Sequence, residues 1–578
     1  MRRNRNLTMV LAPAVMVGII FWGAEGMINA LAGESLSSPA GPDSRSGEVD
    51  RLFSGWNRPN TPGATVAVMH KGEIVFQKSY GRKHSGYDLS WNPQTRSRIY
   101  SMTKHFTGIA ALILEDQGKL DLDDDVRKYL PEMPVYEKEI TLRHLLSNTS
   151  GIRDDEQILT LSGLMDGSKV SLDYYFETVT RQKRLNFLPG AACLYSNSGF
   201  RMMARIIERV GGKSFPQWMS ENIFEPLGMD RTLVVQNDDF VVRDLAEGYD
   251  RMQNGTFEPA IRIFGTSGDG AVVSTVPDML KWVDNFKSNC LHIRDFPNRL
   301  VAKTPLTGGR LSRYGLGICV DSYGGLPRYH HGGGAPGYRS EIAYFPEQDF
   351  AVIILANRSD ADSGTKAETI AEIYLGEEMA EAEKAAGGVF HPEERTLKRL
   401  EGMYVDTEMG LVAGIVVPGK KSAGDIHLGG TAGFISVLKA VSNTAFEPAV
   451  GYSSVRMRCE YRAQSEHPVL HIDVGREGYT EFVRVSDFEL SSSKLTKYKG
   501  LYRSEEVAAS LHVVFREGRL FLRLGFGIWP TQLRELEPVF PDIFSGPGVS
   551  VKFLQKADEI TGMVVNTSQS RYLEFLKQ

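Results

Sequence analysis

Ser101-Met102-Thr103-Lys104 sets a hydroxyl and an amine three residues apart. On a helix, positions i and i+3 share a face, so this spacing brings an alcohol beside a group that can hold or take its proton. A helix start would add the positive end of its dipole at Ser101. Ser363–Lys366, Ser436–Lys439 and Ser491–Lys494 share the pattern. Only the first opens a helix striped with Phe106, Ile109, Ala110 and Ile113. Tyr195-Ser196-Asn197 is a second candidate; of the 22 tyrosines no other is followed by Asn two residues on. A phenol with its ordinary pKa near ~10 is a weak base, and a neighbouring ammonium is expected to lower that value. The plainer alternative is a turn whose Tyr packs and whose Asn caps a helix. The third candidate is His331-Gly332-Gly333-Gly334-Ala335-Pro336-Gly337. Small residues there would let a substrate backbone approach, and a backbone N–H could face an oxyanion. His330 gives a second register; His331 is preferred because its middle position stays small. The same glycines fit G-x-G-x-x-G, but no helix follows, which argues against a dinucleotide site.

The elements around these residues are readable. Ala64–Met69 and Ile74–Phe76 alternate as a hairpin around His70-Lys71-Gly72. A helix is expected from Ser101 to Gln117, with Gly118 stopping it. Others are expected at Gly199–Val210 and after Thr275, where Pro277 falls in the first turn. Strands return at Glu341–Phe345 and Phe350–Leu355, the latter apolar on both faces and therefore central. A helix near 365–375 closes the block. Strands at both ends enclosing helices predict an α+β domain built on one mixed sheet.

The 578-residue chain is long enough for two or three domains. Its net charge of −5 argues against a nucleic-acid partner. Cys193, Cys290, Cys319 and Cys459 form no C-x-x-C, so metal binding is not expected. One disulfide is allowed, without a pairing. Arg2, Arg3 and Arg5, an apolar run from Leu7 to Ala24, and Ala30-Leu31-Ala32 read as an export signal over 1–32. An uncleaved membrane anchor is the alternative. A linker is assigned to 33–47 and the first domain to 48–385. Beyond it, Gly402-Met403-Tyr404 and Gly500-Leu501-Tyr502 open two similar stretches, which Glu481-Phe482 and Glu574-Phe575 close. They predict two tandem antiparallel β-barrels or sandwiches, at 393–487 and 491–578.

In its order of motifs the chain resembles the penicillin-binding-protein and serine β-lactamase superfamily. Leu145–Ile152 and Ile223–Met229 add to the likeness. Peptidases of the D-aminopeptidase type, which carry two barrels after such a domain, match further through Gly268-Asp269-Gly270 and Tyr404–Leu411. The resemblance implies a β-lactamase/transpeptidase-like domain, with Ser101 as nucleophile and Lys104 charging the network and passing protons. It makes Tyr195 the general base and then acid, Asn197 a substrate-amide ligand, and His331 the replacement for a lysine. Gly333 and Gly334 line the substrate, with the N–H groups of Ser101 and Gly334 as oxyanion donors. Glu535 or Glu537, after Gly525–Pro530, would meet a substrate ammonium. No metal or organic cofactor is implied. The expected substrate is a small peptide, amide or ester. A D-Ala-D-Ala carboxypeptidase or an esterase would use the same chemistry, and a peptide-binding protein without catalysis is the reading from another class. The barrels could also serve as a lid or as a homodimer surface.

Overall fold

The computed structural model describes residues 42–578 except 59, 165–169, 237–240, 261–264, 386–389, 391, 418–424, 432–435, 451–454, 462–466, 475–478, 487 and 525–532. The export-signal assignment lies outside the described residues. The end of the assigned linker does not: Pro42–Phe53 is a helix, α1. Its Val49 and Phe53 pack under the central sheet with Val66, Tyr80 and Ile354, so apolar burial recruits a stretch whose Ser/Gly/Pro content alone suggests a tether.

The sheet has six strands: β1 (Ala64–His70), β2 (Glu73–Tyr80), β3 (Cys319–Tyr323), β4 (Leu326–Ala335), β5 (Tyr338–Phe345) and β6 (Phe350–Ala356). Their order is β3-β4-β5-β6-β1-β2, and every pairing is antiparallel. The two ends of the first domain therefore meet in mid-sheet, where Val66 faces Ile354 and Val68 faces Val352. β6 is buried along its whole length, as a strand without polar alternation requires.

Four more helices matter here: α2 (Thr103–Asp116), α3 (Asn197–Gly211), α4 (Val276–Ser288) and α5 (Ser363–Ala385). α2 sits in the larger core, where Phe106, Ile109 and Ala110 meet Phe200, Trp282 and Ile353. α5 covers the opposite sheet face through Ile370, Tyr374 and Leu375. Thr275 caps α4 by accepting from the Asp278 amide at 3.3 Å. The polypeptide of α2 starts later than its sequence suggests. Ser101 lies in a 3₁₀ turn, Tyr100–Met102, and Tyr100 holds a φ of 44°. A non-glycine residue in this region is strained.

Each half of the tail closes into an eight-stranded antiparallel barrel. In the first, Tyr404 in the opening strand pairs with Arg484 in the last; in the second, Tyr502 pairs with Lys577. The repeated Gly-x-Tyr has one job in both. The Tyr404 hydroxyl donates to the Leu400 carbonyl at 3.0 Å, and that of Tyr502 to the Tyr498 carbonyl at 2.7 Å. Each phenol ties the first strand to the helical turn that precedes it. The second barrel also shares its core with the first domain, since Ile158 and Leu161 pack among its side chains.

Candidate active site

Ser101, Lys104, Tyr195, Asn197 and His331 come together between the α2 start, the α3 start and β4. Lys104 is the hub. Its side chain is fully buried, and its Nζ donates to Ser101 Oγ (3.3 Å), Asn197 Oδ1 (2.8 Å) and the Asp269 carbonyl (2.8 Å). The amine also lies 4.8 Å from the Tyr195 ring centre. Burial is the largest influence on it and pushes its pKa down to about 8, against the attraction of Asp269, Glu156 and Asp154. An amine at that value exchanges protons readily near neutral pH.

Tyr195 hydrogen-bonds to Ser101, yet burial pushes its phenol well above the usual tyrosine range. This corrects the expectation that the nearby ammonium would favour a phenolate. Burial comes first, the Ser101 hydrogen bond opposes it only in part, and Asp269 and Asp154 act in the same direction as burial, so the resting Tyr195 is a neutral O–H. The group suited to take the Ser101 proton is then Lys104 in its amine form. Deprotonated, Lys104 can keep N–H bonds to Asn197 and Asp269 while its lone pair faces Ser101.

Of the two histidines, His331 is the one that lies beside Tyr195. Its ring centre lies 6.1 Å from that of Tyr195, whereas His330 points to the other face, near Asp321 and Glu341. Burial, then His105 and Lys104, drive the His331 pKa well below its ordinary value, so the ring is neutral. Nδ1 lies 2.6 Å from the Gly332 carbonyl, which can only accept, so Nδ1 carries the proton. Nε2 then accepts from the Tyr314 hydroxyl at 2.7 Å. His331 is thus a neutral, oriented ring and not a cation in lysine's place.

Gly333 and Gly334 lie on the half of β4 beyond the last β3 pair, Cys319 with His330. No β3 residue covers that edge. A Cβ at Gly333 would stand 2.0 Å from the Ile99 carbonyl oxygen and 2.3 Å from Ser340 Oγ. Ser340 Oγ donates to that same carbonyl at 2.8 Å, two residues before the nucleophile. Gly333→Ala is therefore expected to push β4 off the Ser101 turn and to lower kcat/KM about 100-fold, the size of losing one oxyanion donor. Kinetics beside a melting curve check this; activity within threefold of wild type would show that the close approach is dispensable.

Glu535 is not brought to the serine. It sits on the barrel strand Leu533–Phe540 and pairs with Arg519, its two oxygens 2.9 and 3.1 Å from Nη1. Glu537, on the same strand, is exposed. The loop Gly525–Pro530, on which their approach was argued, lies outside the described residues.

The sequence alone assigns no role to several supporting residues, although Asp269 lies within the Gly268-Asp269-Gly270 match. Asp269 presents its carbonyl to Lys104, while its carboxylate sits 3.0 Å from Arg201 in a buried group with Asp155 and Glu156. Asp154 accepts from the Asn197 amide at 2.8 Å. From the second barrel, Gln569 donates to the Tyr195 carbonyl at 2.9 Å, and Ser570 Oγ donates to the Asp154 carbonyl at 2.9 Å. The loop holding them is thus part of the wall behind Tyr195 and Asn197. Among the described residues no group of His, Cys, Asp and Glu could hold a metal ion, all four cysteines are free thiols, and no helix is long and apolar enough to cross a membrane.

Residues 49–375, more than half of the chain, match the family model described as Beta-lactamase. The chain belongs to the beta-lactamase family. It is a serine hydrolase of that family. The similarity to curated relatives extends further. A D-aminopeptidase of Brucella anthropi is 26% identical over 531 residues, covering 89% of this chain and 95% of its own. A D-aminopeptidase of Gluconobacter oxydans is 27% identical over 461 residues, covering 77% and 80%. Among solved structures, the octameric penicillin-binding protein homologue from Pyrococcus abyssi has a TM-score of 0.52 at 21% identity, covering 77% of this chain and all of that one; that likeness concerns the fold.

Proposed function

We propose that the protein is a D-aminopeptidase, releasing an N-terminal D-residue from small peptides and amides through an acyl-enzyme on Ser101. The observation that carries this reading is the length of the likeness: the relative from Brucella anthropi aligns over 531 residues, 89% of the chain, far more than the first domain alone. The neutral His331 supports it too. A carboxypeptidase or penicillin-binding site gains from a cation facing the substrate carboxylate, and burial denies His331 that charge.

In this reading, neutral Lys104 takes the Ser101 proton as Oγ bonds to the scissile carbonyl carbon. The backbone N–H groups of Ser101 and Gly334 hold the oxyanion. The C–N bond then breaks, and the Tyr195 O–H, in contact with Ser101, passes a proton to the departing amine and is reprotonated from Lys104. Water cleaves the ester by the reverse route. Asn197, whose Oδ1 is engaged by Lys104, turns its amide NH₂ toward the substrate. The basic start, apolar run and small-residue site at the N-terminus support an exported enzyme.

The test is whether a free amine is needed. D-alanine amide should be hydrolysed with kcat/KM about 100-fold or more above that of N-acetyl-D-alanine amide, since a site built for a polar substrate group discriminates strongly against an analogue that lacks it. Equal rates would move the assignment to a carboxypeptidase or esterase with the same machinery.

A further inference from the structure

A cavity of about 780 Å³ lies apart from the catalytic residues, lined by Trp56, Arg58, Arg251, Phe257, Arg358, Asp360 and Lys366 among others. None of Ser101, Lys104, Tyr195 or His331 lines it. Its charges do not balance. Four cations face one carboxylate, and Arg358 engages that carboxylate with both ends of its fork, Nε to Oδ1 at 2.7 Å and Nη2 to Oδ2 at 2.9 Å. Arg358 is held between Trp56 and Phe257, 4.3 and 4.7 Å from their ring centres, so its place is fixed. Arg251 reaches Asp360 only at 3.5 Å. The Arg58 and Lys366 side chains have no carboxylate within ion-pair distance among the described residues. Lys366 stands in the first turn of α5, where the helix dipole disfavours a cation and favours an anion. Its ammonium lies 5.6 Å from the Trp56 ring centre, and burial lowers its pKa against the longer-range attraction of Asp362 and Asp360.

An isolated lysine of this kind would mean little. Here three under-neutralised cations, Arg58, Arg251 and Lys366, converge on one concave space beside the Arg358–Asp360 pair, and the fold keeps them there against their mutual repulsion. We propose that this cavity binds a small anion carrying two or more negative charges. Arg251 and Arg58 would meet it from the hairpin Tyr249–Arg251/Phe257–Pro259 and from the turn after α1, and Lys366 from the floor.

The test uses the full chain and two probes at fixed ionic strength, inorganic pyrophosphate and citrate, followed by isothermal titration calorimetry. Saturable one-to-one binding of either is expected, unchanged in Ser101→Ala and weakened at least tenfold in Lys366→Gln and further in Lys366→Gln/Arg251→Gln. The probe that binds tells a phosphate-type from a carboxylate-type ligand. Circular dichroism and ester hydrolysis by the variants, both expected at wild-type level, show that the fold and the catalytic cleft are intact. Absence of saturable binding by both probes, or equal binding by the double variant, would overturn the proposal.

Discussion

Ser101→Ala is expected to lower kcat/KM by about 10⁴-fold or more while leaving the melting temperature nearly unchanged. The hydroxyl is the acyl acceptor, and no binding or oxyanion contact can replace the bond it forms. What remains should be the residual rate that donors and positioning give on their own. The fold should tolerate the loss because Lys104 keeps two shorter acceptors, Asn197 Oδ1 and the Asp269 carbonyl. Intact mass after a fluorophosphonate is the second readout. Wild type should gain one adduct and Ser101→Ala none. An adduct on the variant would place the nucleophile elsewhere.

Lys104→Met should cost about 10³-fold in kcat/KM, within the range for removing a general base. Met keeps the length and removes a buried charge, so stability should change by only about 1–3 kcal/mol, the cost of leaving acceptors unpaired. Lys104→Arg should not rescue activity, because a guanidinium stays protonated. The pH profile gives the sign. A base with its pKa at about 8 is mostly protonated below that pH, so wild-type kcat/KM for an ester substrate without an amine should rise about tenfold per unit from pH 6 and level off above 8. An Arg variant with wild-type activity, or a flat profile between pH 6 and 9, would remove Lys104 from the role of base.

The sequence shows the reacting groups because their signals are local. Ser101 and Lys104 lie within one turn, Tyr195 and Asn197 within a single loop, and His331 opens a run of glycines. The double barrel is legible for a similar reason: Tyr404 and Tyr502 repeat a local device. Long-range ties leave no such trace. The Asp269 carbonyl is 165 positions from Lys104, and Gln569 is 374 from Tyr195. Nothing near either partner announces the other. Proton affinities are hidden for a related reason. A neighbouring ammonium can be guessed from spacing, but the burial that overrides it at Tyr195 and neutralises His331 is a property of the packed core. Glu535 shows the converse, since its acidic type suits a substrate ammonium while Arg519, 16 positions earlier and on the neighbouring barrel strand, holds its carboxylate.

The measurement that bears most directly on the account is hydrolysis of D-alanine p-nitroanilide against its L-enantiomer by the wild-type enzyme, with Ser101→Ala alongside. D-selective turnover that disappears in the variant is the predicted result. Turnover of neither anilide, with p-nitrophenyl ester cleavage still dependent on Ser101, would contradict the aminopeptidase assignment.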